Sequence, residues 1–156
     1  MTDETLTAQR RIDAAPHAVF ALLVDPANHV AIDGTGWVRG PVQDGVRITA
    51  EDEVFDMAMF HPQHPDGDYE IANRVVAFER PTTIEWEPGF YVEDGQRDSG
   101  RWTWRYDLVD VGGQTDVTLT YDWSNATPEA RERFQFPPFG AEKLSASLDN
   151  LAALTT

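Results

Sequence analysis

From Trp37 onward the chain alternates apolar and polar residues with a period of two. Trp102, Trp104, Tyr106 and Leu108 alternate with Arg101, Thr103, Arg105 and Asp107. Beyond Gly112-Gly113, Val117, Leu119, Tyr121 and Trp123 alternate with Asp116, Thr118, Thr120 and Asp122. Each segment therefore has one apolar face and one wet face, as an antiparallel strand with one side on a core requires. A slip of one residue would bury the charges, so the pattern also fixes the register. Strands are expected at 37–43, 47–60, 69–79, 82–88, 99–111 and 115–123, separated by Asp44-Gly45, Pro65-Asp66-Gly67, Arg80-Pro81 and Gly112-Gly113. Residues 5–12 read as a first strand, with Leu6, Ala8 and Ile12 on one face.

Two regions have a helical period instead. Ala14-Ala15-Pro16 opens a helix, because a proline in the first turn has no N–H that needs a partner; Val19, Phe20 and Leu23 form its apolar stripe. Asp25-Pro26 ends it, since the residue before a proline is pushed out of the helical region. Residues 26–32 read as a second short helical turn, and Asp33-Gly34-Thr35-Gly36 as a tight turn. Near the C-terminus, Thr127-Pro128-Glu129 carries an N-cap and a first-turn proline, and Pro137-Pro138 breaks the short helix that starts there. From Phe139 to Leu154, Ala141, Leu144, Leu148, Leu151 and Leu154 recur at steps of three and four, which places one apolar stripe on a long helix. The expected architecture is α+β. The long helix closes the fold by lying across an antiparallel sheet of about seven strands, with two short helices after strand 1.

This order carries a resemblance. Arg11-Ile12-Asp13-Ala14-Ala15-Pro16, followed by Val19-Phe20 and Leu22-Leu23, resembles the opening of the START-like superfamily, also called SRPBCC or birch-pollen-allergen-like. Asn73-Arg74-Val75, Ile84-Glu85-Trp86 and Ser147-Leu148-Asp149-Asn150-Leu151 resemble later segments of its bacterial polyketide cyclase/dehydrase family. The resemblance spans nearly the whole chain, as a single domain over 1–156. Its segments are structural, so they speak to fold more than to activity. It implies a helix-grip fold, a curved antiparallel sheet wrapped around a long C-terminal helix with an apolar cavity between them. Members of the superfamily bind lipids, polyketides, hormones or other hydrophobic molecules, and a minority are enzymes.

Composition narrows the partners. Over 156 residues there are 12 basic and 27 acidic side chains, a formal net charge of −15. A chain this acidic repels phosphate backbones and anionic lipid surfaces, which argues against nucleic acid and membrane partners. There is no cysteine, so disulfides and thiolate chemistry are excluded. The Met-Thr-Asp-Glu start lacks a basic n-region and an apolar h-region, and no apolar run reaches membrane-spanning length, so a cytoplasmic location is expected.

The candidate binding residues lie on the apolar face of the sheet. Trp86, Trp102, Trp104, Tyr106, Tyr121 and Trp123 all fall on the expected concave side, joined by Phe55, Met57 and Met59 if the third strand keeps strict alternation. Wide aromatics with polar tips, and adaptable methionines, suit a planar hydrophobic ligand, although the same residues also serve as plain core. Asn73 is the candidate buried polar group, between Ile71 and Val75 on its face. Phe136 and Phe139 flank the Pro137-Pro138 break as candidate lids, with access expected there and near the Asp33–Gly36 turn.

Catalysis would need a general acid or base in that cavity, and His29, Asp33, Asn73 and Tyr106 are the nominees. His61 and His64, with Asp66 and Asp68 nearby, invite a metal reading. No third ligand is fixed by spacing, so neither metal nor cofactor is expected. Of the acidic cluster Glu51, Asp52, Glu53 and Asp56, the first and third read as strand-end solvation, and Asp56 is expected to point to water. Three functions remain open. The first is binding of a small hydrophobic lipid-, polyketide- or aromatic-type ligand. The second is a cyclase/dehydrase-type enzyme using the same cavity. The third is an interaction protein like the chaperone-activator relatives of the fold, which would need an exposed apolar patch.

Overall fold

The computed structural model describes residues 4–62, 67–92 and 95–155. Seven strands pair antiparallel throughout: β1 (Thr5–Ile12), β2 (Val38–Pro41), β3 (Val54–Phe60), β4 (Asp68–Glu79), β5 (Thr83–Glu87), β8 (Thr103–Val111) and β9 (Gln114–Asp122). Their order across the sheet is β1-β9-β8-β5-β4-β3-β2. A separate two-stranded ribbon, β6 (Phe90–Tyr91) with β7 (Arg97–Asp98), lies against β4, where the Ala72 N–H donates to the Gly89 carbonyl at 2.7 Å. Arg97 fastens the ribbon to the sheet, donating through Nε to the Ala72 carbonyl at 3.0 Å. The ribbon was not legible as strands, because two residues per strand are too few for any period to show.

Helices α1 (Pro16–Leu23) and α2 (His29–Ile32), separated by a 3₁₀ turn at Pro26–Asn28, follow β1 as expected. Asp25 stops α1 and caps the turn, accepting from the Ala27 N–H. Thr127 caps α3 (Pro128–Arg133) by accepting from the Ala130 N–H at 3.1 Å. The long helix α4 spans Ala141–Ala153, shorter than the expected 139–154. Leu144, Leu148 and Leu151 are fully buried, joined by Ser147 and Ala152. The two ends of the expected stripe, Ala141 and Leu154, are exposed, so they neither grip the sheet nor leave room beneath the helix.

α4 lies mainly against β1, with further contacts to β9 and α2. Polar pins hold it to the turn after α2. The Gly34 N–H donates to Ser147 Oγ at 2.9 Å, and Asn150 Nδ2 donates to the Ile32 carbonyl at 3.2 Å. The approach is so close that a Cβ on Gly34 would collide with the Lys143 carbonyl oxygen.

Two expected strands begin late. Residues 47–53 form no strand, because Ile48 turns inward and its N–H bonds to the Val24 carbonyl at the end of α1. The Glu53 carboxylate then folds back onto Thr49, accepting from its N–H at 2.8 Å and from its hydroxyl. Glu53 is thus a turn-former rather than a solvated strand end. Residues 99–102 form no strand either. Arg101 adopts a positive φ of 67°, with its N–H on Ser99 Oγ, and Gly100 admits the Trp102 ring against Ala130.

Candidate functional site

Antiparallel register assembles the concave face in rows. Tyr121 lies opposite Trp104, which lies opposite Trp86, giving one row of three large aromatics across β9, β8 and β5. The next row is Leu119, Tyr106 and Ile84, all buried. On the other half of the face Phe55 lies opposite Asn73, Met57 opposite Ile71 and Met59 opposite Tyr69. Phe55, Met57 and Asn73 are buried at 3 %, 1 % and 3 % exposure. The charged residues go to the outer face, where Arg105 pairs with Asp107 at 2.9 Å and Glu85 at 3.3 Å.

Trp86 and Trp104 are only half-buried, although β5 is the fourth of seven strands and β8 the third. Both rings meet other rings. Trp86 stacks on His29, with centroids 5.1 Å apart and planes 19° from parallel, and meets Tyr106 at 5.9 Å and Phe55 at 5.7 Å. Trp104 and Tyr121 both pack on Phe139, at 5.5 and 5.0 Å, and Phe139 also touches Trp37 at 5.7 Å. Phe139 sits just before α4 and joins Trp37 to the Trp104–Tyr121 pair.

Four polar groups reach this interior. His29 is buried, and its Nε2 lies 2.8 Å from the Leu23 carbonyl. A carbonyl can only accept, so Nε2 carries the proton and Nδ1 presents a lone pair. Burial pushes the His29 pKa down against the smaller opposing pull of the Leu23 bond and of Asp25 and Asp33, which keeps the ring neutral. Asn73 Oδ1 is buried and accepts no hydrogen bond from any described residue. The Tyr106 phenol is pushed well above its ordinary pKa, first by burial and then by the Asp33 charge, so it stays protonated. Tyr121 is raised by burial in the same way.

Asp33 is committed to building the turn. Its carboxylate accepts from the N–H groups of Thr35, Trp37 and Val38, each at 2.9 Å, and from the Thr35 hydroxyl at 2.7 Å. It is a positioning group that sets Trp37 against Phe139, not a free acid or base.

The sequence-derived set is therefore brought together in part. Trp86, Trp104, Tyr106, Tyr121 and Phe139 share one continuous wall, with Met57, Met59 and Asn73 beside it. Trp123 joins through Tyr121 at 5.8 Å. Trp102 and Phe136 stand apart from that wall, packing on each other at 5.5 Å and on Phe134 beside α3. Phe136, Pro137 and Trp123 line an open cleft of about 640 Å³ whose far side is Glu4, Thr5 and Leu6 of the β1 edge. Arg131 spans it, ion-paired with Glu4 at 2.7 Å and donating to the Trp123 carbonyl at 2.8 Å.

Sequence reasoning missed Trp37 as a wall residue, and read His29 as a cavity-mouth residue and catalytic nominee rather than as a ring stacked in the wall. The signal for Trp37 was its place directly after the Asp33–Gly36 turn; no sequence period places His29, which reaches Trp86 through the packing of α2. His17 is exposed, and His61 contacts Trp37 at 4.7 Å. His64 and Asp66 lie outside the described residues; among the described ones no cluster of three or more potential ligands occurs. Asp56, expected to face water alone, accepts from the Tyr91 hydroxyl at 3.0 Å. No described helix is long and apolar enough to cross a membrane.

Comparison with known proteins places the fold. No family model matches the chain. The uncharacterized protein Rv0088 of Mycobacterium tuberculosis is 30 % identical over 114 residues, which is 72 % of this chain and 45 % of the relative. The chain thus spans about half the length of the curated relative it matches. Among solved structures, protein Ms6760 from Mycobacterium smegmatis superposes with a TM-score of 0.67 at 19 % identity, over 97 % of this chain and 90 % of that one. A Rhodobacter sphaeroides protein gives 0.66 at 21 %, over 99 % and 93 %. The AHSA1 protein from Silicibacter pomeroyi gives 0.60 at 17 %, over 97 % and 96 %. With its seven-stranded antiparallel sheet and closing C-terminal helix, the chain has an α+β helix-grip fold, shared with these solved structures.

Proposed function

We propose that the protein binds a small hydrophobic molecule between the concave sheet face and the helices that cover it. The observation that carries this reading is the partial exposure of Trp86 and Trp104 at the centre of the sheet, where a filled core would bury both. Phe139, next to the Pro137-Pro138 break, packs over this wall, and Trp123, which lines the outer cleft, packs on Tyr121. Aromatic walls suit flat apolar ligands, which gain stacking contacts beyond simple burial. The acidic surface disfavours anions at low salt.

A second reading, a cyclase/dehydrase-type enzyme, draws on the neutral His29 ring and its Nδ1 lone pair. Its burial-lowered basicity favours a hydrogen-bond acceptor over a proton acceptor, so binding is the stronger reading. A screen of ring-containing hydrophobic compounds by thermal shift and native mass spectrometry tests it. Binding predicts one-to-one adducts and raised melting temperatures. A screen with no adduct and no shift would refute it.

A further inference from the structure

Resting on the binding reading above, we infer that the interior site selects neutral ring compounds bearing a hydroxyl that donates to Asn73 Oδ1. Two of the polar groups on this wall present acceptors. Asn73 Oδ1 is an acceptor buried to 3 % exposure with no protein donor among the described residues. His29 Nδ1 is also an acceptor, because Nε2 spends its proton on the Leu23 carbonyl. The two flank the same ring, since Asn73 lies opposite Phe55 in the sheet and Phe55 meets His29 edge-on at 5.5 Å. The Asp33 carboxylate adds negative potential felt by the Tyr106 hydroxyl.

Two acceptors beside an aromatic wall are complementary to a ligand that brings donors and a flat ring. A carboxylate brings only acceptors and a negative charge, and can pair with neither Asn73 Oδ1 nor His29 Nδ1. A hydrocarbon or ether would leave Asn73 Oδ1 buried and unpaired, the costly outcome for an amide oxygen.

The test compares three probes of one shape by isothermal titration calorimetry at neutral pH: 2-naphthol, 2-methoxynaphthalene and 2-naphthoate. The naphthol is expected to bind about tenfold or more tightly than its methyl ether, the gap set by one buried hydrogen bond made or left unmade. The naphthoate is expected to bind weakest. In Asn73→Leu the naphthol should fall to the affinity of the ether, and the ether should bind as well as before. Equal binding of naphthol and ether to the unmodified protein would overturn the inference and leave the binding reading standing, as would tighter binding of the naphthoate. A preference for naphthol that survives in Asn73→Leu would overturn the assignment to Asn73. Failure of all three probes to bind would overturn the binding reading and this inference with it.

Discussion

Asn73→Leu should make the unliganded protein more stable. Asn73 is 3 % exposed on the inner face of β4, between Phe55 across the strand pair and the Val75 side chain on its own strand. Its Oδ1 has no donor among the described residues, so folding strips water from the amide oxygen without replacing it. An unsatisfied buried polar group costs about 1–3 kcal/mol. Leucine has nearly the same volume and removes that cost, while its different branching costs under about 1.5 kcal/mol in a well-packed site. The net expectation is a gain of about 1 kcal/mol, or a melting temperature roughly 2–4 °C higher for a domain of this size. Urea unfolding followed by tryptophan fluorescence measures it, with the m-value checked for constancy so that a shifted midpoint reports stability alone. A loss of more than about 1 kcal/mol would mean that Oδ1 is satisfied in solution, and the argument from an orphaned acceptor would fail.

Protonation of His29 gives a second expectation. Its folded pKa is depressed by burial, so its contribution to stability is present above the unfolded pKa near 6.5 and lost as pH falls below it. Stability should drop by up to about 1.4 kcal/mol per pH unit there, and His29→Phe should remove that part of the slope. An identical slope in the variant below pH 6.5 would refute it. Leu148→Asp should prevent folding, since it places an unpaired charge in the α4 interface at a cost of several kcal/mol, a large part of a domain's whole stability. A soluble variant with an unchanged melting temperature would show that α4 does not hold the sheet. Gly34→Ala should cost about 1–3 kcal/mol by overpacking against the Lys143 carbonyl; an unchanged unfolding midpoint would show that the turn does not press on α4. Dialysis against a chelator should leave the melting temperature unchanged, and a loss restored by zinc would revive the His61–His64 reading.

The parts of the fold that follow a period were legible in the sequence. β8 and β9 show their alternation through Trp104–Leu108 and Val117–Tyr121, and α4 shows its leucine stripe. The illegible parts depend on contacts between distant residues. Residues 47–53 alternate plausibly, yet Ile48 is drawn to the Val24 carbonyl and Glu53 is spent on Thr49. Ser147 and Asn150 read as the polar side of α4, but each bonds the 32–34 turn. The aromatic wall was visible residue by residue. Phe139 was expected as a lid, but the closure by Trp37 and His29 was not visible, because those rings reach the wall only through the packing of α2 and the turn after it. Trp102 continues the alternation on paper, but the positive φ at Arg101 breaks the extended backbone just before it. β8 therefore begins only at Thr103, and the Trp102 ring is left to pair with Phe136 beside α3.

The central claim is that the aromatic interior receives a ligand, and the five tryptophans report on it separately. In a nitrogen–proton correlation spectrum each indole N–H gives its own signal, assignable by single Trp→Phe variants. Titration with 2-naphthol should shift the Trp86 and Trp104 signals saturably, with Trp102 least affected. Movement confined to Trp102 and Trp123 would place the ligand in the outer cleft, and no movement in any signal up to the solubility limit would contradict interior binding altogether.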